Sequence, residues 1–263
     1  MPANPKDLAL ALELARLADH ITLARFRADD LAVDTKPDLT PVTEADTGVE
    51  QVVRERLATE RPDDAIVGEE YGASSGLGGS RRWIVDPIDG TKNYVRGIPV
   101  WATLIALQEA EDVTVGVVSA PALHRRWWAA RDHGAHMDDG LSHARRPLRV
   151  SAVSELADAQ VSFAGLEDWQ EISRLDAVIA LTERCWRTRS FGDFWAYMLV
   201  AEGAMEVALD PVVSLWDLAA PKVIVEEAGG RFTDLIGSPT ADGGDAIATN
   251  GLVHQQALQL VGR

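Results

Sequence analysis

Residues 83–91 run Trp-Ile-Val-Asp-Pro-Ile-Asp-Gly-Thr, an order that few folds accommodate. Trp83, Ile84 and Val85 make a short, continuously apolar run of the kind that is buried on both faces of a sheet. Asp86 follows at once, and Asp89 three positions later. A buried strand that ends this way brings two carboxylates together at its tip. Pro87 fixes φ and removes a backbone donor, which stiffens the turn. Gly90 lets the backbone approach a ligand closely. Gly90-Thr91 then opens a helical turn whose free N–H groups face an anion. Ligands for a cation and donors for a phosphate thus lie side by side. A plain strand-to-turn cap is the structural alternative.

The spacing decides between two chemistries. In the Asp-x-Asp-Gly-Thr pattern of haloacid dehalogenases the first Asp is a nucleophile, but here the carboxylates are three apart, not two. This disfavours an aspartyl-phosphate intermediate and favours metal ligands. Three more acidic clusters occur: Asp38 to Asp46 (Asp-Leu-Thr-Pro-Val-Thr-Glu-Ala-Asp), Gly68-Glu69-Glu70, and Trp216-Asp217. Thr43 with Asp46 also fits a helix-capping box, a purely structural reading of both residues.

The 25 Lys and Arg against 41 Asp and Glu give a formal charge of −16, which argues against a nucleic-acid partner. An anionic substrate is still admissible where metal ions or backbone amides invert the local field. The single Cys185 excludes an intrachain disulfide and a cysteine zinc site and fits a reducing compartment. With no signal-peptide pattern and no long apolar window, a soluble, cytoplasmic protein with no membrane partner is expected.

Periodicity predicts helices over 7–27, 46–59, 172–180, 194–201 and 216–227, with a final helix after 249. Strands are expected at 65–68, 83–85, 100–108, 113–118, 126–130, 148–150, 160–163, 186–189, 205–209, 231–233 and 246–249. Gly72 to Ser80 is Gly- and Ser-rich and reads as a mobile surface loop. A soft boundary near 145–150 separates an N-terminal α+β part (1–147) from a C-terminal α/β part (148–263) within one compact unit. The alternation suggests layered packing.

These motifs resemble the inositol monophosphatase family of metal-dependent phosphatases. Trp83 to Tyr94 is similar to its first signature, and Ser214 to Ala220 with Glu227 to Gly230 to its second. Lys36-Pro37-Asp38 to Asp46 and Gly68-Glu69-Glu70 match the two motifs that precede them, in order. The resemblance implies an α+β fold, the layered αβαβα sandwich shared with fructose-1,6-bisphosphatases. It also implies Mg2+ dependence, with Mn2+ the other suitable hard cation, and a homodimer.

Position by position, the resemblance makes Glu69, Asp86 and the Ile88 carbonyl ligands of a first metal. Asp86, Asp89 and Asp217 become ligands of a second, with Asp86 bridging. Two such ions would clamp the attacking and leaving oxygens of an in-line displacement. Thr91 and Glu69 would position the nucleophilic water, and Asp46 would orient Thr91. The Gly90 and Thr91 amides would hold phosphate, and Lys36 would be the basic residue of a mobile metal loop.

The leaving group must be read elsewhere. Gly192-Asp193 with Tyr197 resembles the branch of the family that acts on histidinol phosphate, as do Val100 to Ala102 and Arg125 to Ala130. Asp193 would pair with the ammonium or imidazole of that substrate; a helix N-cap before Phe194 is its structural alternative. Asp210 sits where relatives place an acidic substrate contact. Arg187 and Arg189 are candidates for phosphate or subunit contacts, and Trp101 is the tryptophan expected nearest the site. The expected activity is hydrolysis of a small phosphomonoester, L-histidinol phosphate, to L-histidinol and phosphate. Inositol-1-phosphate is the alternative, with fructose and nucleotide bisphosphates behind it. A non-catalytic phosphate- or Mg2+-binding protein is the competing class.

Overall fold

The computed structural model describes residues 2–37, 39–74, 80–141 and 145–262. Asp38 and most of the Gly/Ser-rich segment expected to be a mobile loop, residues 75–79, lie outside these. The chain begins with α1 (Pro5–Arg25), β1 (Val33–Thr35), β2 (Pro41–Thr43), α2 (Glu44–Glu60), β3 (Ala65–Gly68), β4 (Gly72–Ala73) and β5 (Arg81–Asp89). It continues through α3 (Thr91–Val95), β6 (Ala102–Glu109), β7 (Asp112–Ala120), β8 (Arg125–Ala130), β9 (Ala135–Asp138) and β10 (Arg146–Pro147). Then come β11 (Gln160–Phe163), α4 (Leu166–Glu171), α5 (Leu175–Thr182), β12 (Arg187–Thr188), α6 (Asp193–Ala201) and β13 (Val207–Asp210). Last are α7 (Leu215–Glu227), β14 (Arg231–Thr233), β15 (Ala246–Thr249) and α8 (His254–Val261).

Among the described residues, one sheet has eight strands in the order β10-β9-β8-β7-β6-β5-β3-β4 and another has five in the order β12-β11-β13-β15-β14. The larger sheet is antiparallel except where β3 runs parallel to β5. Side chains alternate across its strands and both faces are buried. Trp83, Val85, Ile105, Leu107, Val115 and Val117 pack on one side against α1 and α2. Ile84, Leu104, Ala106 and Val118 pack on the other against α6 and α7. The smaller sheet covers the far side of α6 and α7 through Ala208, Phe232, Ala246 and Ala248. Its own outer face, with Val161, Val207, Leu209 and Ile247, is closed by α4, α5 and α8. The layers run α, β, α, β, α, the sandwich expected from the motifs.

Three local expectations need correction. Residues 148–150, read as a strand, are irregular: Leu148 is buried, but Val150 donates its N–H to the Ala228 carbonyl beyond α7 rather than to a sheet. Leu148 still donates its N–H to the Ala135 carbonyl at 2.8 Å, so contact with β9 runs one residue past β10 and then stops. The helix expected over 172–180 starts later, as α5 from Leu175, and a separate short helix, α4, precedes it, the two parted at Ser173 with φ +58°. The polar stretch after Arg131 contains β9, which pairs with β8. No helix among the described residues is long and apolar enough to cross a membrane.

Candidate active site

Every acid of the site comes from the end of a strand or the first turn of a helix. The carboxyl end of β5 carries Asp86 and Asp89. Register with β6 slips between them, from Asp86 opposite Leu104 to Asp89 opposite Ala102. The bulge is fixed by Pro87, whose carbonyl accepts from the Thr103 hydroxyl at 2.8 Å. Asp217 lies in the first turn of α7, where its Oδ2 accepts the Ser214 N–H at 2.9 Å in a capping box. One oxygen from each of Asp86, Asp89 and Asp217 falls within 4.8 Å of the others.

These acids are crowded together, Asp86 and Asp89 buried and Asp217 partly so. Burial raises Asp86 and Asp89 well above the ordinary carboxylate range, and neighbouring carboxylates raise them further. Asp217 is raised to about 6, mainly by burial, against the lowering effect of the Ser214 N–H. Asp86 Oδ1 is buried and has no hydrogen-bond partner. An orphaned buried oxygen beside two more carboxylates fits a hard divalent ion, which prefers an all-oxygen set.

Glu69 follows β3, and its N–H extends the parallel ladder by donating to the Val85 carbonyl at 3.2 Å. Its carboxylate opens to the same cleft as the three aspartates. In this structure it is held by Lys36, whose Nζ lies 2.7 Å from Glu69 Oε1 and 2.8 Å from Glu70 Oε1.

Gly90 has φ +83° and opens α3; a Cβ there would lie 3.0 Å from the Val100 carbonyl oxygen. The next residue, Thr91, places its hydroxyl 2.8 Å from the Ile88 carbonyl and 3.2 Å from Asp46 Oδ1. Asp46 does two jobs at once. Its Oδ2 accepts the Thr43 N–H at 2.8 Å and closes the capping box of α2. Its Oδ1 faces Thr91. The capping reading and the catalytic reading of this residue are therefore compatible.

The cleft occupies about 730 Å³ and passes from the metal-type acids to the N-terminus of α6. Asp193 lies there with φ +48°, directly after Gly192 at φ +82°. The alternative reading of Asp193 as an N-cap fails, since Gly192 caps α6 and Asp193 is its first residue; the Phe194 N–H donates to the site acid Asp89 Oδ2 at 2.6 Å. The Asp193 carboxylate accepts from Asn93 Nδ2 at 2.9 Å. Tyr197, one turn along α6, donates its hydroxyl to Asp210 at the end of β13. Asp168, at the start of α4, lines the same wall. The sequence reading missed it because it placed no helix between residues 163 and 172. The Asp168 carboxylate accepts the Gly165 N–H at 3.1 Å, but a glycine at the cap offers no side-chain acceptor and so gave no capping signature.

Three sequence candidates fall elsewhere, among them Arg189, whose guanidinium donates to the Thr188 carbonyl at 2.6 Å outside the cleft lining. Arg187 lies on the edge strand β12 and donates to Gln160 Oε1 at 3.1 Å, outside the cleft lining. Trp101 is fully buried behind the site, packed with Tyr94, Phe26 and Ile88, and does not line the cleft. Among the described residues, seven carboxyl side chains line the cleft (Glu69, Asp86, Asp89, Asp168, Asp193, Asp210 and Asp217) against one ammonium, Lys92. So acidic a cleft admits a phosphate only together with cations.

A family model described as the inositol monophosphatase family matches residues 5–262. A protein named histidinol-phosphatase from Streptomyces coelicolor is 53% identical over 98% of this chain and 97% of its own length. Another of that name from Mycobacterium tuberculosis is 56% identical over 96% of each chain. Among solved structures, an inositol monophosphatase from Zymomonas mobilis superimposes with a TM-score of 0.84 at 30% identity, over 97% of both chains.

Proposed function

This chain belongs to the inositol monophosphatase family, and from that premise we propose that it is a Mg2+-dependent phosphomonoesterase that hydrolyses L-histidinol phosphate to L-histidinol and phosphate. The observation that carries the substrate is the division of the cleft. Asp86, Asp89 and Asp217 converge at one end, while Asp168, Asp193 and Asp210 line the other. The second set suits a leaving group with ammonium and imidazole nitrogens; a neutral polyol would leave those charges unanswered.

Glu69, Asp86, Asp89, Asp217 and the Ile88 carbonyl would hold divalent ions. Bound there, the ions would neutralise phosphoryl oxygens and lower the pKa of water. Thr91 directs its hydroxyl proton toward Asp46 or the Ile88 carbonyl, which leaves a lone pair of its oxygen free to accept a hydrogen bond from the attacking water. Glu69 is the second acceptor for that water and takes up its proton. Water adds its oxygen to phosphorus, the ester P–O bond breaks, and the proton given up by the water returns through solvent to the leaving oxygen, which departs as the histidinol hydroxyl. Asp193 and Asp210 orient the amino alcohol. Use of Mn2+ in place of Mg2+, a cytoplasmic location and a homodimeric assembly belong to the same proposal.

Phosphate release from histidinol phosphate and from inositol-1-phosphate, each with Mg2+ and with a chelator, tests this reading. Turnover of histidinol phosphate is expected to exceed that of inositol-1-phosphate by at least about tenfold, the worth of one charge-assisted hydrogen bond, and to vanish with chelator. Equal turnover of both would transfer the proposal to an inositol monophosphatase.

A further inference from the structure

Glu50 is a fully buried carboxylate to which the catalytic scheme above assigns nothing. It lies on α2 one turn after Asp46, so both project from the same face of the helix. Asp46 holds the turn that carries Thr91. Glu50 faces the other turn that supplies the reaction, Gly68 to Tyr71, which carries Glu69. Its Oε2 accepts the Glu70 N–H at 2.8 Å, and its Oε1 accepts the Tyr71 N–H at 3.2 Å. After Glu69 the backbone leaves β5, and these two N–H groups would otherwise have no strand to pair with. Arg54 balances the buried charge, with Nε 2.8 Å from Glu50 Oε1. Arg54 also donates to the Gly72 carbonyl and lies over the Tyr71 ring, which closes the turn from its far side. Gly68 completes the fit: a Cβ at this position would overlap the Glu50 carboxylate.

We propose that Glu50 is a positioning residue that fixes the 68–71 turn so that the Glu69 carboxylate reaches the metal site. The role rests on the reading of Glu69 as a metal ligand. It makes α2 a common scaffold for two catalytic turns, Asp46 clamping Thr91 and Glu50 clamping Glu69. It also explains why a glycine precedes the acid pair.

Mn2+ binding to the purified full-length chain, followed by electron paramagnetic resonance, tests it on Glu50→Gln, which keeps the volume and one acceptor oxygen. Asp7→Asn is the control. Asp7 is likewise a buried carboxylate, on α1, paired with Arg61 after α2 and with Arg81 at the start of β5, the end of that strand opposite Asp86 and Asp89. Binding by the wild-type chain tests the metal reading by itself; the ratio of variant to wild type tests Glu50. Glu50→Gln is expected to weaken Mn2+ binding by about tenfold or more, as loss of a ligand's supporting partner does, and to raise the Mg2+ concentration for half-maximal turnover in parallel. Asp7→Asn is expected to lower the melting temperature while leaving both unchanged. Mn2+ affinity in Glu50→Gln equal to wild type, or reduced no further than in Asp7→Asn, would overturn the proposal.

Discussion

In the proposed mechanism Thr91 and Asp46 are both structural and chemical. The Thr91 hydroxyl touches Asp46 and the Ile88 carbonyl and makes no contact that packing requires. Thr91→Ala should therefore lower kcat by about a hundredfold or more, the scale of a lost proton-transfer group, and change KM far less. Steady-state kinetics on histidinol phosphate check this, and a matched rise in KM with unchanged kcat would speak against it. Asp46→Asn should show the same kinetic loss and in addition cost about 1 kcal/mol of stability through the capping box. The cap was legible in the sequence because Thr43 and Asp46 are three positions apart. The second role was expected only through the family resemblance, because Thr91 lies 45 positions away and no local pattern links it to Asp46 Oδ1. Asp86, Asp89 and Asp217 were legible for the opposite reason. Each sits at a strand end or helix start that the local pattern of residues announces.

The helix α7 shows how closely the elements fit. Gly116 on β7 faces it, and a Cβ there would lie 2.7 Å from the Ala220 carbonyl oxygen. Gly116→Ala should thus push the sheet and α7 apart and cost about 1–3 kcal/mol. Gly48 lies in the interior of α2 with nothing nearer to a built Cβ than Ile21 Cγ2 at 3.8 Å. Gly48→Ala should stabilise by about 0.5–1 kcal/mol. Thermal unfolding of the two variants should move in opposite directions; a shared direction would contradict the packing described. Most elements were legible from period and flanking residues. Residues 148–150 were not, since a run of apolar side chains cannot say whether its backbone finds a partner strand. The split between α4 and α5 was hidden as well, because Ser173 adopts φ +58° without a glycine to announce it.

Across the whole molecule, the formal charge of −16 and the acid-lined cleft make metal binding and folding one linked equilibrium. Asp217 is raised to about 6, and Asp86 and Asp89 are raised too, all chiefly by burial. Unfolded carboxylates titrate near 4. The folded chain without metal therefore holds more protons than the unfolded chain in the interval between, and its stability falls as pH rises through about 6. A divalent ion displaces those protons and favours the ionised acids. The increment in melting temperature given by Mn2+ over chelator should thus grow from pH 5 to 7.5, and an increment independent of pH would count against a shared site. The composition indicated the need for cations, and the family resemblance already set Asp193 and Asp210 on the leaving-group side of the proposed division; the place of Asp168 was not legible, because the sequence reading put no helix where α4 carries it to the cleft. The most direct measurement is anomalous diffraction from a crystal soaked in manganese chloride. A strong peak is expected among the Asp86, Asp89 and Asp217 carboxylates, with Glu69 released from Lys36 and turned toward it. Density free of manganese at that point, with Lys36 still bonded to Glu69, would contradict the metal-dependent phosphatase described here.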